Sequence, residues 1–178
     1  MKKYIRFLFV FISMMLLFTA CGDRGPVGPE GPQGPPGPEI LPVAFEFNAT
    51  MRPSNDFEFY QNIPNQIDVF EQDVMLAFIL EDYIQEDDLE VWRKLPVTEF
   101  NSRGTLLIDY DFTLIDIRIF LDANYGLNIL DSLEDVLIRA VHIPANFTSK
   151  MVSGRTFKDA ETFEELEAMI GRDIDVIK

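Results

Sequence analysis

The chain offers few side chains suited to reactive chemistry, and carboxylates dominate among them. It contains 30 Asp and Glu residues against 15 Lys and Arg, with one histidine and one cysteine. The histidine, His142, lies between Val141 and Ile143 in a strand-like segment, which favours a partly buried, hydrogen-bonded imidazole over a general base. One histidine and one cysteine are too few ligands for a transition-metal site.

Calcium is the one cofactor whose ligand chemistry the sequence approaches, because calcium prefers carboxylate and carbonyl oxygens. Asp109, Asp111 and Asp116 loosely follow the spacing of a calcium loop, but Leu114 stands where an EF-hand loop requires glycine. Two further oxygen-rich segments are 86–88 and 122–124. Acidic residues in such positions are usually solvated turns and strand faces, so we predict neither a metal nor another cofactor.

Motifs for catalysis are also missing from the sequence. It contains no G-x-S-x-G, P-loop or dinucleotide fingerprint, and a Ser-His-Asp triad would have to use His142 without a recognisable nucleophile turn. Glycoside hydrolysis by a pair of carboxylates remains an alternative hypothesis, although acids are so abundant that no one pair is informative. Trp92 is either a platform for stacking a sugar or, as we favour, a packing residue.

The single cysteine, Cys21, closes a typical export segment. Lys2, Lys3 and Arg6 precede an apolar run over 7–18, which is shorter than the roughly 20 residues needed to span a bilayer. The end of this run, Leu-Phe-Thr-Ala-Cys at 17–21, resembles the lipobox of bacterial lipoproteins. The resemblance implies that residues 1–20 are a signal peptide and that Cys21 carries lipid and anchors the protein to a membrane.

Residues 21–40 form a linker that contains five consecutive Gly-Pro-X triplets, at 25–39. Proline after each glycine favours polyproline II, and 15 residues in that conformation span roughly 45 Å. Five triplets supply few interchain hydrogen bonds against the entropy of assembling three chains. We therefore predict a stiff spacer on a monomer, with a collagen-like triple helix and a trimer as the alternative.

Residues 41–178 are long enough to form one domain with its own core. The formal charge of the chain is −15, and removal of the three leader cations Lys2, Lys3 and Arg6 makes it −18. A surface this acidic repels nucleic acid and anionic lipid headgroups and favours cations or basic partners. Nucleic acid is therefore excluded as a partner.

Hydrophobic residues in this domain mostly recur with a period of two, as in β-strands. The strand candidates are 43–47, 57–60, 74–80, 91–100, 106–112, 115–121 and 136–143. Segment 74–80 is apolar on both faces, as in a strand covered on both sides. Pro96 confines 91–100 to a sheet edge or a bulge. The alternation of apolar and polar residues changes phase between Phe112 and Ile115, which indicates a bulge or a tight corner. One helix follows, with a capping box at 162–165 and Gly171 after its end. We predict an antiparallel β-sandwich of about seven strands with one C-terminal helix.

The whole pattern resembles the small collagen-like lipoproteins of the Bacteroidota. Besides the lipobox and the Gly-Pro-X run, the segments that carry the resemblance are Val91–Pro96, Tyr110–Thr113, Asp116–Asp122 and His142–Phe147. The resemblance implies location and architecture, and no activity. The tripeptide Asp131-Ser132-Leu133 also resembles the sites that Bacteroidota glycosylate on oxygen, so Ser132 is a candidate glycosylation residue.

These observations together predict a cell-envelope lipoprotein, anchored in the outer membrane with its domain on the periplasmic side or at the surface. The folded domain is expected to be a non-catalytic binding or structural module, whose protein or glycan ligand the sequence does not name. Two alternatives remain at this point. They are a carboxylate-based glycan hydrolase and a trimeric collagen-like adhesin.

Overall fold

The computed structural model describes residues 41–148 and 156–177. The leader, Cys21 and the Gly-Pro-X linker lie outside these residues, so the predictions about them stay predictions. Within the described residues, no helix is both long and apolar enough to cross a membrane.

The described residues are mainly strand, as predicted. Their strands are β1 (Val43–Met51), β2 (Glu58–Asn62), β3 (Val74–Ile84), β4 (Leu89–Lys94), β5 (Val97–Asn101), β6 (Gly104–Phe112), β7 (Asp116–Ala123), β8 (Leu133–Ile143) and β9 (Asp175–Ile177). Their α-helices are α1 (Ala145–Thr148) and α2 (Phe163–Ile170).

Two sheets form a sandwich, in the orders β4-β3-β8-β1-β9 and β2-β7-β6-β5. All pairings are antiparallel except that of β9, which runs parallel to β1. The described part has nine strands where about seven were expected, for two reasons. Segment 91–100 divides at Pro96 into β4 and β5, which belong to different sheets, and β9 was not predicted. The prediction of one strand over 91–100 was therefore wrong, since Pro96 lies between two strands, although both β4 and β5 are edge strands as expected of this segment.

Hydrophobic residues fill the space between the sheets and also the outer face of the larger sheet. Met75, Ala77 and Ile79 of β3 belong to the core between the sheets, whereas Leu76 and Phe78 pack under the C-terminal segment. Residues of one strand alternate between its two faces, so a strand covered on both sides must be apolar throughout. The prediction for 74–80 is confirmed.

The phase change after Phe112 is a tight turn between β6 and β7. The hydroxyl oxygen of Thr113 accepts hydrogen bonds from the N–H groups of Ile115 (3.2 Å) and Asp116 (3.3 Å). β6 and β7 therefore pair as a hairpin and both direct their apolar faces into the core. Ile115 lies in the turn itself and is exposed.

Helix α2 covers the outer face of the larger sheet. The Thr162 side chain accepts the N–H of Glu165 at 3.2 Å, and Gly171 ends the helix with a φ of 79°. The Glu165 carboxylate accepts the N–H of Glu161 (3.1 Å) rather than that of Thr162, so the box closes one residue earlier than its standard form. Phe163 and Leu166 are buried against the sheet.

One arginine joins this helix to the sheet. The guanidinium of Arg139, on β8, lies 3.9 Å from the ring centroid of Trp92 and 4.4 Å from that of Phe163. It also donates hydrogen bonds to the carboxylates of Glu46 (2.8 Å) and Glu90 (2.9 Å). We call these five residues the Arg139 cluster. Arginine suits this position because its planar guanidinium can stack on aromatic rings and donate several hydrogen bonds at once. The ammonium of lysine is a compact point charge and cannot stack in this way.

Replacing Arg139 with lysine tests this arrangement. Arg139→Lys keeps the charge but loses the stacked plane and one of the two carboxylate contacts, so we expect a loss of about 2 kcal/mol or more in the free energy of unfolding. Arg93→Lys is the matched control, because Arg93 pairs with Glu81 at the surface and should change stability by less than about 0.5 kcal/mol. Denaturant titration measures both, and equal losses would contradict the assigned role.

Gly104 begins β6 in a conformation that only glycine adopts readily, with a φ of 146°. A Cβ at this position would lie 2.1 Å from Oδ1 of Asn124, which accepts the N–H of Thr105 at 2.9 Å. Gly104→Ala should therefore lower the free energy of unfolding by about 2–4 kcal/mol. Gly126→Ala, where a Cβ meets nothing within 4 Å, should change it by less than about 1 kcal/mol. A small effect at position 104 in denaturant titration would contradict this local geometry.

Candidate functional site

A groove opens at the end of the sandwich where β3 begins. Its volume is about 430 Å³, and we call it the end groove. The side chains that matter for its chemistry are Met75, Lys94, Pro96, Tyr110, Phe112 and Lys158, with Asp73 also in its lining. It combines apolar walls with two cations, which is unusual for so acidic a domain.

The chain crosses from one sheet to the other beside this groove. Leu95, between β4 and β5, donates its N–H to the carbonyl of Ala77 at 2.9 Å, and Lys94 donates its N–H to the carbonyl of Glu161 at 3.2 Å. The Lys94 ammonium donates to the main-chain carbonyl of Lys158 at 2.5 Å. These bonds place the Lys94 side chain and the main chain of Lys158 at the same side of the groove.

Tyr110 also lines the groove and connects the two sheets. Its hydroxyl donates to the carbonyl of Met75 at 3.0 Å. Burial, together with the nearby carboxylate of Asp109, raises the pKa of Tyr110 to about 12, so the phenol is neutral at ordinary pH. Tyr110 therefore acts as a neutral hydrogen-bonding and packing residue.

Asp73 and His142 form a buried pair behind the groove. The side chains are 4% and 3% exposed, and Nε2 of His142 lies 2.8 Å from Oδ2 of Asp73. The Asp73 carboxylate also accepts the N–H groups of Phe70 (3.0 Å) and Ala145 (2.9 Å). Burial alone would raise the pKa of Asp73, but these hydrogen bonds outweigh it and the pKa lies below its ordinary value.

This pair holds three segments together. Asp73 ends the loop after β2, His142 belongs to β8, and Ala145 begins α1, so one carboxylate fixes the loop to the strand and to the helix start. His142 is buried and bonded, as its sequence context predicted, and it does not line the end groove. Its position suits a structural role better than proton transfer to a ligand in the groove.

The carboxylates that loosely resembled a calcium loop do not converge on one point. Asp111 forms an ion pair with Arg118. Asp116 accepts a hydrogen bond from the hydroxyl of Thr113 at 2.5 Å. Asp109 accepts one from the N–H of Tyr110 at 2.8 Å. Among the described residues, no group of three or more His, Cys, Asp or Glu side chains could hold a metal ion. The structure brings Asp109 and Asp111 only to a shallow surface beside the groove, which shares Pro96, Tyr110 and Phe112 with it.

Trp92 is only 2% exposed, and its indole N–H donates to Glu90 at 2.9 Å within the Arg139 cluster. The packing interpretation of this residue is confirmed. A ring buried in this way offers no face to a sugar.

Ser132, the candidate glycosylation residue, has a buried hydroxyl oxygen with no hydrogen-bond partner among the described residues. A glycan on this oxygen would require modification before folding or a local opening of the 129–133 segment. The neighbouring Asp131 is buried and accepts hydrogen bonds from Arg103 (3.0 Å), Tyr125 (3.1 Å) and the N–H of Asn128 (2.9 Å). These bonds lower the pKa of Asp131 although burial opposes them, and they stabilise the segment in place.

Sequence reasoning did not identify the two lysines of the groove. Lys94 follows Arg93 in a strand and Lys158 lies in a short 3-10 turn (Phe157–Asp159), so neither spacing nor flanking residues mark them. The pairing of Asp73 with His142 was not predicted either, because the two residues lie 69 positions apart in the sequence. Only the tertiary fold brings these residues together.

Comparison with known proteins gives no independent assignment. No family model matches the chain, and no curated protein and no solved structure is similar enough to count as a match. The functional proposals below therefore depend on the residues and their geometry.

Replacing Asp73 tests the buried pair. Because the pKa of Asp73 is lower in the folded chain than its ordinary 3.8, the unfolded chain takes up the proton first as pH falls. The stability that the carboxylate contributes is thus complete above about pH 4 and disappears as pH falls through the lower folded value. Asp73→Asn should reduce the free energy of unfolding by about 1–3 kcal/mol at pH 7.

The difference between the native protein and Asp73→Asn should shrink as the pH is lowered from 5 towards 3. Asp68→Asn is the control, because Asp68 lies exposed in the same loop. It should change stability by less than about 0.5 kcal/mol at every pH. A pH-independent difference for Asp73→Asn in denaturant titrations would show that its charge is not the stabilising feature.

Proposed function

We propose that this protein is a cell-envelope lipoprotein that presents a non-catalytic ligand-binding domain on a proline-stiffened stalk. Lipid on Cys21 supplies the anchor, and the Gly-Pro-X linker supplies the distance from the membrane. The end groove is the binding site of the domain. The observation that carries this proposal is the groove itself, since it combines apolar walls with unpaired cations.

The size of the groove supports a small ligand. Sites for small molecules usually enclose about 300–1,000 Å³ and join apolar walls to a few polar groups that fix orientation. The end groove, at about 430 Å³, falls in that range. Its walls are fixed by hydrogen bonds from Tyr110 and Leu95 to the main chain of β3, so the site is formed before a ligand arrives.

The absence of catalysis is supported by the use of the reactive groups. A glycan hydrolase needs two carboxyl groups about 5–10 Å apart that both face the substrate. Asp73, the acid in the lining of the groove, already accepts hydrogen bonds on both oxygens. No feature of the groove favours hydrolysis, and the proposal does not include it.

The groove lies at the end of the domain where β1 begins. Val43 pairs with His142, and His142 pairs with Met75, which lines the groove.

Cys21→Ser tests the anchor. The native protein expressed in a bacterium that processes lipoproteins should enter the detergent phase of a phase partition, because two or more acyl chains anchor a protein stably. Cys21→Ser should remain in the aqueous phase with unchanged circular dichroism. Mass spectrometry of an unmodified Cys21 thiol in the native protein would contradict the proposal.

The non-catalytic part of the proposal has a separate test. Purified Cys21→Ser protein should release no product from a panel of aryl glycosides. Turnover that stays with the folded protein through further purification would overturn this part, whichever carboxylate carries it.

A further inference from the structure

The cations of the described residues divide into two groups. Ion pairs within 4.0 Å engage Arg93, Arg103, Arg118 and Arg139. In the part of the chain that the structure describes, the cations without such a pair are Arg52, Lys94, Lys158 and Arg172. Both lysines of this second group line the end groove. Two unpaired cations in one cavity are notable where acids outnumber bases two to one.

The two lysines are held in a way that leaves their charges available. The Lys94 ammonium has three N–H donors and uses one of them on the Lys158 carbonyl, so two remain. The turn that carries Lys158 is fixed by the Asp159 carboxylate, which accepts the N–H of Thr156 at 2.6 Å. Lys94 and Lys158 both line the groove, and neither forms an ion pair with Asp73, the acid in its lining, whose carboxylate already accepts hydrogen bonds on both oxygens.

Apart from the two lysines and Asp73, which is bonded to His142, the lining is apolar, and an acidic surface adjoins it. Pro96, Tyr110 and Phe112 form the apolar wall, and Asp109 and Asp111 lie on the adjoining surface beyond it. An anion would be repelled from the Asp109 side and attracted to the lysine side. The arrangement thus orients any ligand that has one charged end and one apolar end.

We propose that the end groove binds a small organic anion, a carboxylate with an apolar body. The carboxylate contacts the ammonium groups of Lys94 and Lys158, and the apolar body lies against Pro96, Tyr110 and Phe112. This inference rests on the proposed binding function and names its ligand class. It differs from what the net charge predicts, because the overall surface favours cations whereas this groove favours an anion.

The test uses three probes and the full chain carrying Cys21→Ser, with binding followed by NMR titration of backbone amides. The probes are octanoate, its neutral analogue octanamide, and acetate, which has the charge without the chain. We expect octanoate to bind about ten times more tightly than octanamide, a difference of about 1.4 kcal/mol, because the carboxylate accepts charge-assisted hydrogen bonds from the lysines and the neutral amide does not. Acetate should bind more weakly than either, because it buries little apolar surface.

Lys94→Gln with Lys158→Gln should remove the preference for octanoate and leave the binding of octanamide within about twofold. Arg172→Gln is the control, since Arg172 is an exposed cation outside the groove, and it should leave the preference unchanged. Circular dichroism checks that each variant is folded.

The outcomes separate the two proposals. Equal binding of octanoate and octanamide at the groove, or a preference that survives loss of both lysines, overturns the anion inference and leaves the groove as a binding site. Failure of all three probes to shift amides near the groove overturns both the inference and the assignment of the groove. A preference lost equally in Arg172→Gln also overturns the inference, because it would reflect general charge.

Discussion

The attachment of the C-terminal segment to the larger sheet depends on one buried cation. Arg139 is removed from water under α2, which costs free energy unless its charge and its donors are satisfied. Glu46 and Glu90 neutralise it, and its guanidinium lies over the rings of both Trp92 and Phe163. The cluster joins β1, β4, β8 and α2. The same C-terminal segment brings Lys158 to Lys94, so the chemistry of the groove depends on this attachment.

The end groove arises where the chain leaves one sheet for the other. A segment that changes sheets cannot pair continuously with both, and the space beside it must be filled by side chains or left open. Here Leu95 is buried between the sheets while Pro96 lies at the rim, and Tyr110 spans the gap to Met75. The groove is therefore a consequence of topology, and its lining combines residues from both sheets and from the segment after α1.

Strands with a periodic hydrophobic pattern were predictable from the sequence. Features that depend on contacts between residues far apart in the chain were not. Strands with alternating hydrophobic residues were found because one buried face imposes a period of two on local sequence. The split at Pro96 was missed because apolar residues continue through 91–100, and β9 is too short to show a period. The burial of His142 followed from its neighbours. Its partner Asp73, and the meeting of Lys94 with Lys158 across 64 residues, follow only from the tertiary fold.

Arginines and lysines have different roles in the charge distribution of this domain. All four ion-paired cations among residues 41–148 and 156–177 are arginines, whose planar guanidinium can pair and stack at once. They neutralise acids within the fold and add no positive field outside it. The groove lysines form no ion pair and both line the cavity, so their charges contribute a positive field there. Salt would then act in two opposite ways on an anion, because it screens both the repulsion from the acidic surface and the attraction to the lysines. The affinity for an anion should therefore vary less with ionic strength than the charges of the groove alone imply.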